Sequence, residues 1–195
     1  MNIYFDTEFT GLHKNTTLIS LGMVADNGKS FYAEFTDYDE SQCDDWIKEN
    51  VIANLKFKGG QFTRLLRHDD GRPNINAIEM RAPKEIVREQ LRTWLKQFDS
   101  VQFVSDVCHY DFVLLIDLFG TAFDLPSNVN ASCHDINQDI ARHYGISEKE
   151  AFDLSREELL KNVGIFDGAK HNSLYDAFII RTIYYSLPWM EGMIK

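Results

Sequence analysis

The N-terminal part of the chain is built from short apolar runs of β type. Residues 2–6, 16–25 (TTLISLGMVA) and 29–35 (KSFYAEF) predict three strands. Asp26, Asn27 and Gly28 form a turn signal between the last two, so an antiparallel meander is expected. A short helix is expected over 44–50. From 83 to 98 the period changes. Ile86, Val87, Leu91, Trp94, Leu95 and Phe98 share one face of a helix whose first turn Pro83 suits. Residues 101–104 read as a further strand. Helices follow over 110–119, stopped by Gly120, over 135–144, stopped by Gly145, from Ser155, and over 172–187 before Pro188. Strands first, then alternating helix and strand, predict an α/β or α+β domain with a mixed sheet.

At 195 residues the chain is expected to be a single domain over 1–195. Residues 56–82 have no clean period and contain Gly59, Gly60, Gly71 and Pro73, so they are expected to be an irregular or hairpin insertion. No apolar run reaches the roughly 18 residues of a membrane span, and MNIYFDTEF has no signal-peptide pattern. Cys43, Cys108 and Cys133 lack metal-binding spacing. They are read as reduced thiols, which points to a cytoplasmic location. The net charge of −10 argues against a protein that coats nucleic acid non-specifically. The charge is uneven, however. Residues 56–92 hold nine Lys and Arg against five acids, a candidate phosphate track that could equally be a solvated surface with helix ion pairs.

The candidate chemistry lies in acids set within apolar runs. Asp6 and Glu8 are two apart, so on a strand both face one way while Phe5, Thr7 and Phe9 face the other. Asp111 stands among Tyr110, Phe112, Leu114 and Leu115, near a helix start that favours an acid. Asp106, at the end of the preceding strand, competes with it. His171 and Asp176 are five apart, which leaves them roughly 140° apart on a continuous helix. They converge only if His171 lies just outside the helix, with Asn172 as its N-cap. Burying several carboxylates together is unfavourable unless cations offset their charge. Oxygen donors of this kind suit a pair of Mg²⁺ or Mn²⁺ ions, which points to metal-assisted phosphodiester hydrolysis. A neutral His171 could take the proton of the attacking water. No nucleophile elbow, Walker loop or dinucleotide fingerprint is present.

Together the segments FDTEFTGL (5–12), HYDFVLL (109–115) and KHNSLYDA (170–177) resemble the three motifs of the DEDDh exonucleases of the ribonuclease H-like superfamily. The likeness is greatest to small phage and bacterial 3′–5′ exoribonucleases near ribonuclease T. The second motif departs from the family's polymerase proofreaders, with Cys108, His109 and Tyr110 before the acid, which weakens a proofreading role. The resemblance implies a ribonuclease H-like mixed sheet flanked by helices. It implies that Asp6, Glu8, Asp111 and Asp176 hold two divalent cations, Mg²⁺ or also Mn²⁺, and that His171 is the general base. It places the backbone of Phe9 and Thr10 at the terminal 3′-hydroxyl and Leu12 against the last base. The expected activity is 3′–5′ hydrolysis of single-stranded RNA ends or overhangs to nucleoside 5′-monophosphates. A DNA exonuclease is the runner-up. A non-catalytic nucleic-acid-binding module on the same fold and an acidic interaction protein are the other classes. Small exonucleases of this kind are often homodimers, so self-association is a further expectation.

Overall fold

The computed structural model describes residues 1–57, 59–60, 62–67, 73–160 and 168–187. Its strands are β1 (Asn2–Phe9), β2 (Leu18–Ala25), β3 (Ser30–Phe35), β4 (Phe62–Arg67), β5 (Pro73–Ala82), β6 (Val101–Ser105) and β7 (Val129–Asp135). Its α-helices are α1 (Asp45–Asn50), α2 (Lys84–Leu95), α3 (His109–Phe119), α4 (Ile136–Tyr144), α5 (Glu148–Asp153), α6 (Arg156–Leu159) and α7 (Ser173–Ser186). The seven strands form one mixed sheet in the order β4-β5-β3-β2-β1-β6-β7. β1, β2 and β3 are the antiparallel meander, while β1–β6, β6–β7 and β3–β5 run parallel. The stretch where the sequence allows an irregular segment or a hairpin holds β4 and β5, paired antiparallel and joined to the edge of β3.

Alternation along β1 sends its two sets of side chains into different cores. Ile3 and Phe5 join a cluster under α2 and α3 that includes Leu91, Trp94, Phe103 and Leu115. Tyr4 joins the opposite cluster with Val104, Ile140, Ile180 and Ile183, covered by α4 and α7. A smaller cluster of Ile19, Cys43, Ile47 and Val51 seats α1.

Three local features differ from expectation. Ile86, expected on the buried face of α2, is 45% exposed, because the contact stripe runs through Val87, Leu91, Trp94 and Leu95. β7 is a strand outside those expected. Its sequence VNASCHD alternates only weakly, with Val129, Ala131 and Cys133 as its apolar set. Val129 and Cys133 pack against the core, and as an edge strand it keeps Asn130, Ala131 and Ser132 exposed. α5 is a further unpredicted helix, although Ser147 and Glu150 form its capping box.

The basic stretch 56–92 spends much of its charge inside the chain. Lys56 pairs with Glu79, Arg81 lies 3.9 Å from Glu34, and Arg88 and Arg92 flank Glu89. Lys58 and Arg72 lie outside the described residues, as do the side chains of Arg64 and Arg67.

Candidate active site

The acids meet at the C-terminal end of β1. Asp6 and Glu8 share the face of Tyr4, and across the antiparallel ladder they stand level with Gly22 and Ser20 of β2. That pair admits the start of α7. A Cβ on Gly22 would lie 2.3 Å from the backbone of Ser173 and Leu174, so only glycine lets the helix come this close. The buried hydroxyls of Ser20 and Ser173 are 2.9 Å apart and lock the contact. Asn172 caps the helix, its Oδ1 accepting the Tyr175 N–H at 3.3 Å. Asp176 then falls in the first turn and points at the β1 acids. Carboxylate oxygens of Asp6, Glu8 and Asp176 lie within 4.8 Å of one another.

Asp111 reaches the site from the other side of the sheet, on the first turn of α3, and is 7% exposed. The β1–β6 ladder is paired through Tyr4 and Val104. Farther along β1, Thr7 donates both its N–H (2.9 Å) and its hydroxyl (2.5 Å) to Asp111 Oδ1. Thr7 does point away from Asp6 and Glu8, as its position in the strand requires. Its role in holding the third acid has no signal in the sequence.

Asp106, the competing candidate, also lines the cavity, but Arg156 and Asn137 engage its carboxylate. His171 lies outside α7 with φ 62°, its ring edge-on to Trp46 at 5.0 Å. Asn172 Nδ2 donates to Asn54 O, and Asn54 Nδ2 to Lys170 O, which ties this turn to residues 52–54. Val107 and His171 are the two non-glycine residues with positive φ among the described residues, and both line the cavity. Such backbone is costly for a β-branched residue and concentrates where geometry matters for function.

The cavity has a volume of about 850 Å³. Phe9 and Leu12 line it; Phe9 stacks on Tyr110 at 5.5 Å, and Leu12 is 77% exposed. Thr10 is buried behind this wall. Its N–H donates to Thr17 O, and its hydroxyl bonds to Gln42. Trp46 and Phe152 add exposed aromatic surface to the cavity, and no sequence motif singles out either.

Every acid of the set is held above its ordinary range. Burial, then repulsion from Asp111, Asp176 and Glu8, raises Asp6 well above the usual carboxylate value. Burial, then Asp176 and Asp111, pushes Glu8 up to about 8. Burial raises Asp176 to about 7, and Asp111 to about 6 despite its Thr7 donors. Buried oxygen donors that repel one another fit hard divalent cations, which would offset the charge that raises them. His171 shifts the other way: burial, then Lys170 beside it, favours the neutral imidazole.

The mixed sheet flanked by helices is the fold of solved DEDDh-family nucleases, of ribonuclease H-like type. The chain belongs to the Rv2179c-like 3′–5′ exoribonuclease domain family, whose model matches residues 1–187. It is 27% identical over 144 residues to the 3′–5′ exoribonuclease Rv2179c of Mycobacterium tuberculosis, covering 71% of this chain and 73% of that protein. Among solved structures it is similar to the nuclease domain of 3′hExo, a DEDDh family member, bound to rAMP. That likeness has a TM-score of 0.59 and 14% identity over 95% of this chain and 90% of the other. It is also similar to a 3′-exonuclease recognising the histone mRNA stem-loop (TM-score 0.57, 14% identity), covering 95% of this chain and 62% of that one. No helix among the described residues is long and apolar enough to cross a membrane.

Proposed function

We propose that the protein is a metal-dependent 3′–5′ exoribonuclease acting on single-stranded RNA ends. The observation that carries this reading is the convergence of Asp6, Glu8 and Asp176 within 4.8 Å, with Asp111, held by Thr7, near enough to repel Asp6 and Glu8. The family and its Mycobacterium relative, named for 3′–5′ exoribonuclease activity, support RNA as substrate. Asp6, Glu8, Asp111 and Asp176 would hold two divalent cations, Mg²⁺ or Mn²⁺. Bound there, such ions lower the pKa of water and offset charge on the scissile phosphate. His171 takes the proton of the attacking water, a role its neutral form suits. Water oxygen bonds to phosphorus, the 3′-oxygen of the next nucleotide leaves, and a nucleoside 5′-monophosphate departs. Phe9 and Leu12 offer apolar surface to the last base, and the backbone of Phe9 borders the terminal sugar; Thr10, expected beside it, is buried behind the wall with its N–H bonded to Thr17 O. The same reading includes one catalytic domain over 1–195, a cytoplasmic location and self-association; light scattering checks the last.

The test is degradation of matched 5′-labelled single-stranded RNA and DNA, with Mg²⁺ and with EDTA. A ladder shrinking from the 3′ end of RNA, lost with EDTA, is expected. A ladder on DNA alone would reassign the substrate, and no cleavage of either would leave a binding role. His171→Asn should lower turnover about 10²- to 10⁴-fold, the usual contribution of a general base. Mn²⁺ uptake by that variant, followed by calorimetry, should match wild type; lost uptake would make His171 a ligand. Thr7→Val keeps the shape of the side chain but removes one donor to Asp111. Turnover should fall on the order of tenfold, as for other groups that orient a ligand, with the melting temperature little changed.

A further inference from the structure

We propose that Arg156 is a positioning residue that withholds Asp106 from the cation-binding carboxylates, so that four acids and not five face the substrate phosphate. The inference rests on the reading of Asp6, Glu8, Asp111 and Asp176 as cation ligands.

Asp106 is placed like a ligand. The parallel register sets Tyr4 opposite Val104, and both belong to the same core cluster. Two residues farther on, Asp6 and Asp106 follow from adjacent strands and line the same cavity. Repulsion from Asp106 contributes to the raised values of Asp6, Asp111 and Asp176, so its charge reaches the site.

The difference lies in its partners. Arg156 grips Asp106 in a fork, Nε to Oδ2 at 2.5 Å and a terminal nitrogen to Oδ1 at 2.7 Å. Asn137 Nδ2 adds a third donor to Oδ1 at 2.8 Å. The guanidinium also donates to Asn137 Oδ1 at 2.6 Å and to the carbonyls of Ala151 and Leu154 at 3.0 and 3.1 Å. All five of its N–H groups are therefore used. Nothing is left over to bind a phosphate, which excludes the simplest alternative role for an arginine in this cavity. A carboxylate that accepts three bonds, two from a cation, is a poor metal donor. Lysine cannot reproduce the fork.

The experiment uses the full chain. Mn²⁺ is titrated calorimetrically into wild type, Arg156→Ala, Arg156→Lys, Asp106→Asn and the double variant Arg156→Ala/Asp106→Asn, and turnover on labelled RNA is measured for each. Arg156→Ala should bind Mn²⁺ more tightly or take up an extra ion. Its turnover should fall on the order of 10- to 100-fold. Adding Asp106→Asn should return Mn²⁺ uptake to the wild-type stoichiometry and recover most of the turnover, and Asp106→Asn alone should resemble wild type. If Arg156→Ala fails to fold, Arg156→Lys should show the same change in smaller measure, again removed by Asp106→Asn. Equal losses in the single and double arginine variants would mean that Arg156 only braces the chain, and wild-type Mn²⁺ uptake by Arg156→Ala or Arg156→Lys would likewise overturn the proposal. A wild-type protein that takes up no Mn²⁺ overturns the reading of the site itself, and the inference with it.

Discussion

Asp6→Asn should reduce RNA hydrolysis by about three orders of magnitude while leaving the fold intact. The loss follows from its place at the centre of the cluster, within 4.8 Å of Glu8 and Asp176 and repelled by Asp111 as well. Removing one of the charges that would hold cations removes much of the electrostatic stabilisation available to the reacting phosphate. Stability should move the opposite way, because the substitution relieves a buried like charge. Without cations, Glu8, Asp176 and Asp111 keep their protons up to about 8, 7 and 6 in the folded chain. In the unfolded chain carboxyls titrate near ~4. The folded state therefore holds more protons between about pH 4 and 8, and its stability falls as pH rises through that window. Thermal melts in EDTA should drop from pH 5.5 to pH 8, less so for Asp6→Asn. Mg²⁺ should restore the melting temperature of wild type at pH 8 and have little effect on the variant. Wild-type turnover by Asp6→Asn, or melts indifferent to Mg²⁺, would remove the cation site from the account.

Gly22→Ala should damage stability and activity together. Its Cβ would sit 2.3 Å from the Ser173–Leu174 backbone, and backbone, unlike the tip of a side chain, cannot step aside. The start of α7 would have to lift from β2, breaking the Ser20–Ser173 contact. About 3 kcal/mol is expected, the upper end of the usual cost of overpacking. That corresponds to a fall in melting temperature on the order of 10 °C. Asp176 and His171 travel with that end of the helix, so turnover should fall even in the folded fraction. The discriminating measurement is turnover at a temperature where the variant is fully folded. Full activity there would separate α7 docking from assembly of the site.

Much of the site is legible in local sequence pattern. The alternation in IYFDTEF puts Asp6 and Glu8 on one face, since successive strand residues point opposite ways. The 140° mismatch between His171 and Asp176 favours a histidine just outside the helix, and Asn172 does cap α7. The apolar stripe of α2 and the meander around Asp26, Asn27 and Gly28 follow from local periodicity and turn chemistry. Gly22 carries a signal that periodicity passes over, because a lone glycine inside LISLGMVA marks a close backbone approach. β7 is harder to read, since the alternation of Val129, Ala131 and Cys133 rests on small or weakly apolar side chains.

The sequence by itself determined the faces of its strongly periodic elements, as for Asp6 and Glu8 on β1 and for Val87, Leu91, Trp94 and Leu95 on α2, because those periods are set by local backbone geometry. It thereby determined the mixed α/β class and the set of candidate acids. Tertiary structure alone decided how those acids are partnered. Asp106 and Asp111 are five residues apart and alike in composition, yet one is gripped by Arg156, fifty residues away, and the other by Thr7, more than a hundred residues away. Hydrogen-bond partners at that separation depend on the register of β1 against β6 and on where α3 and α6 dock, and no local pattern encodes them.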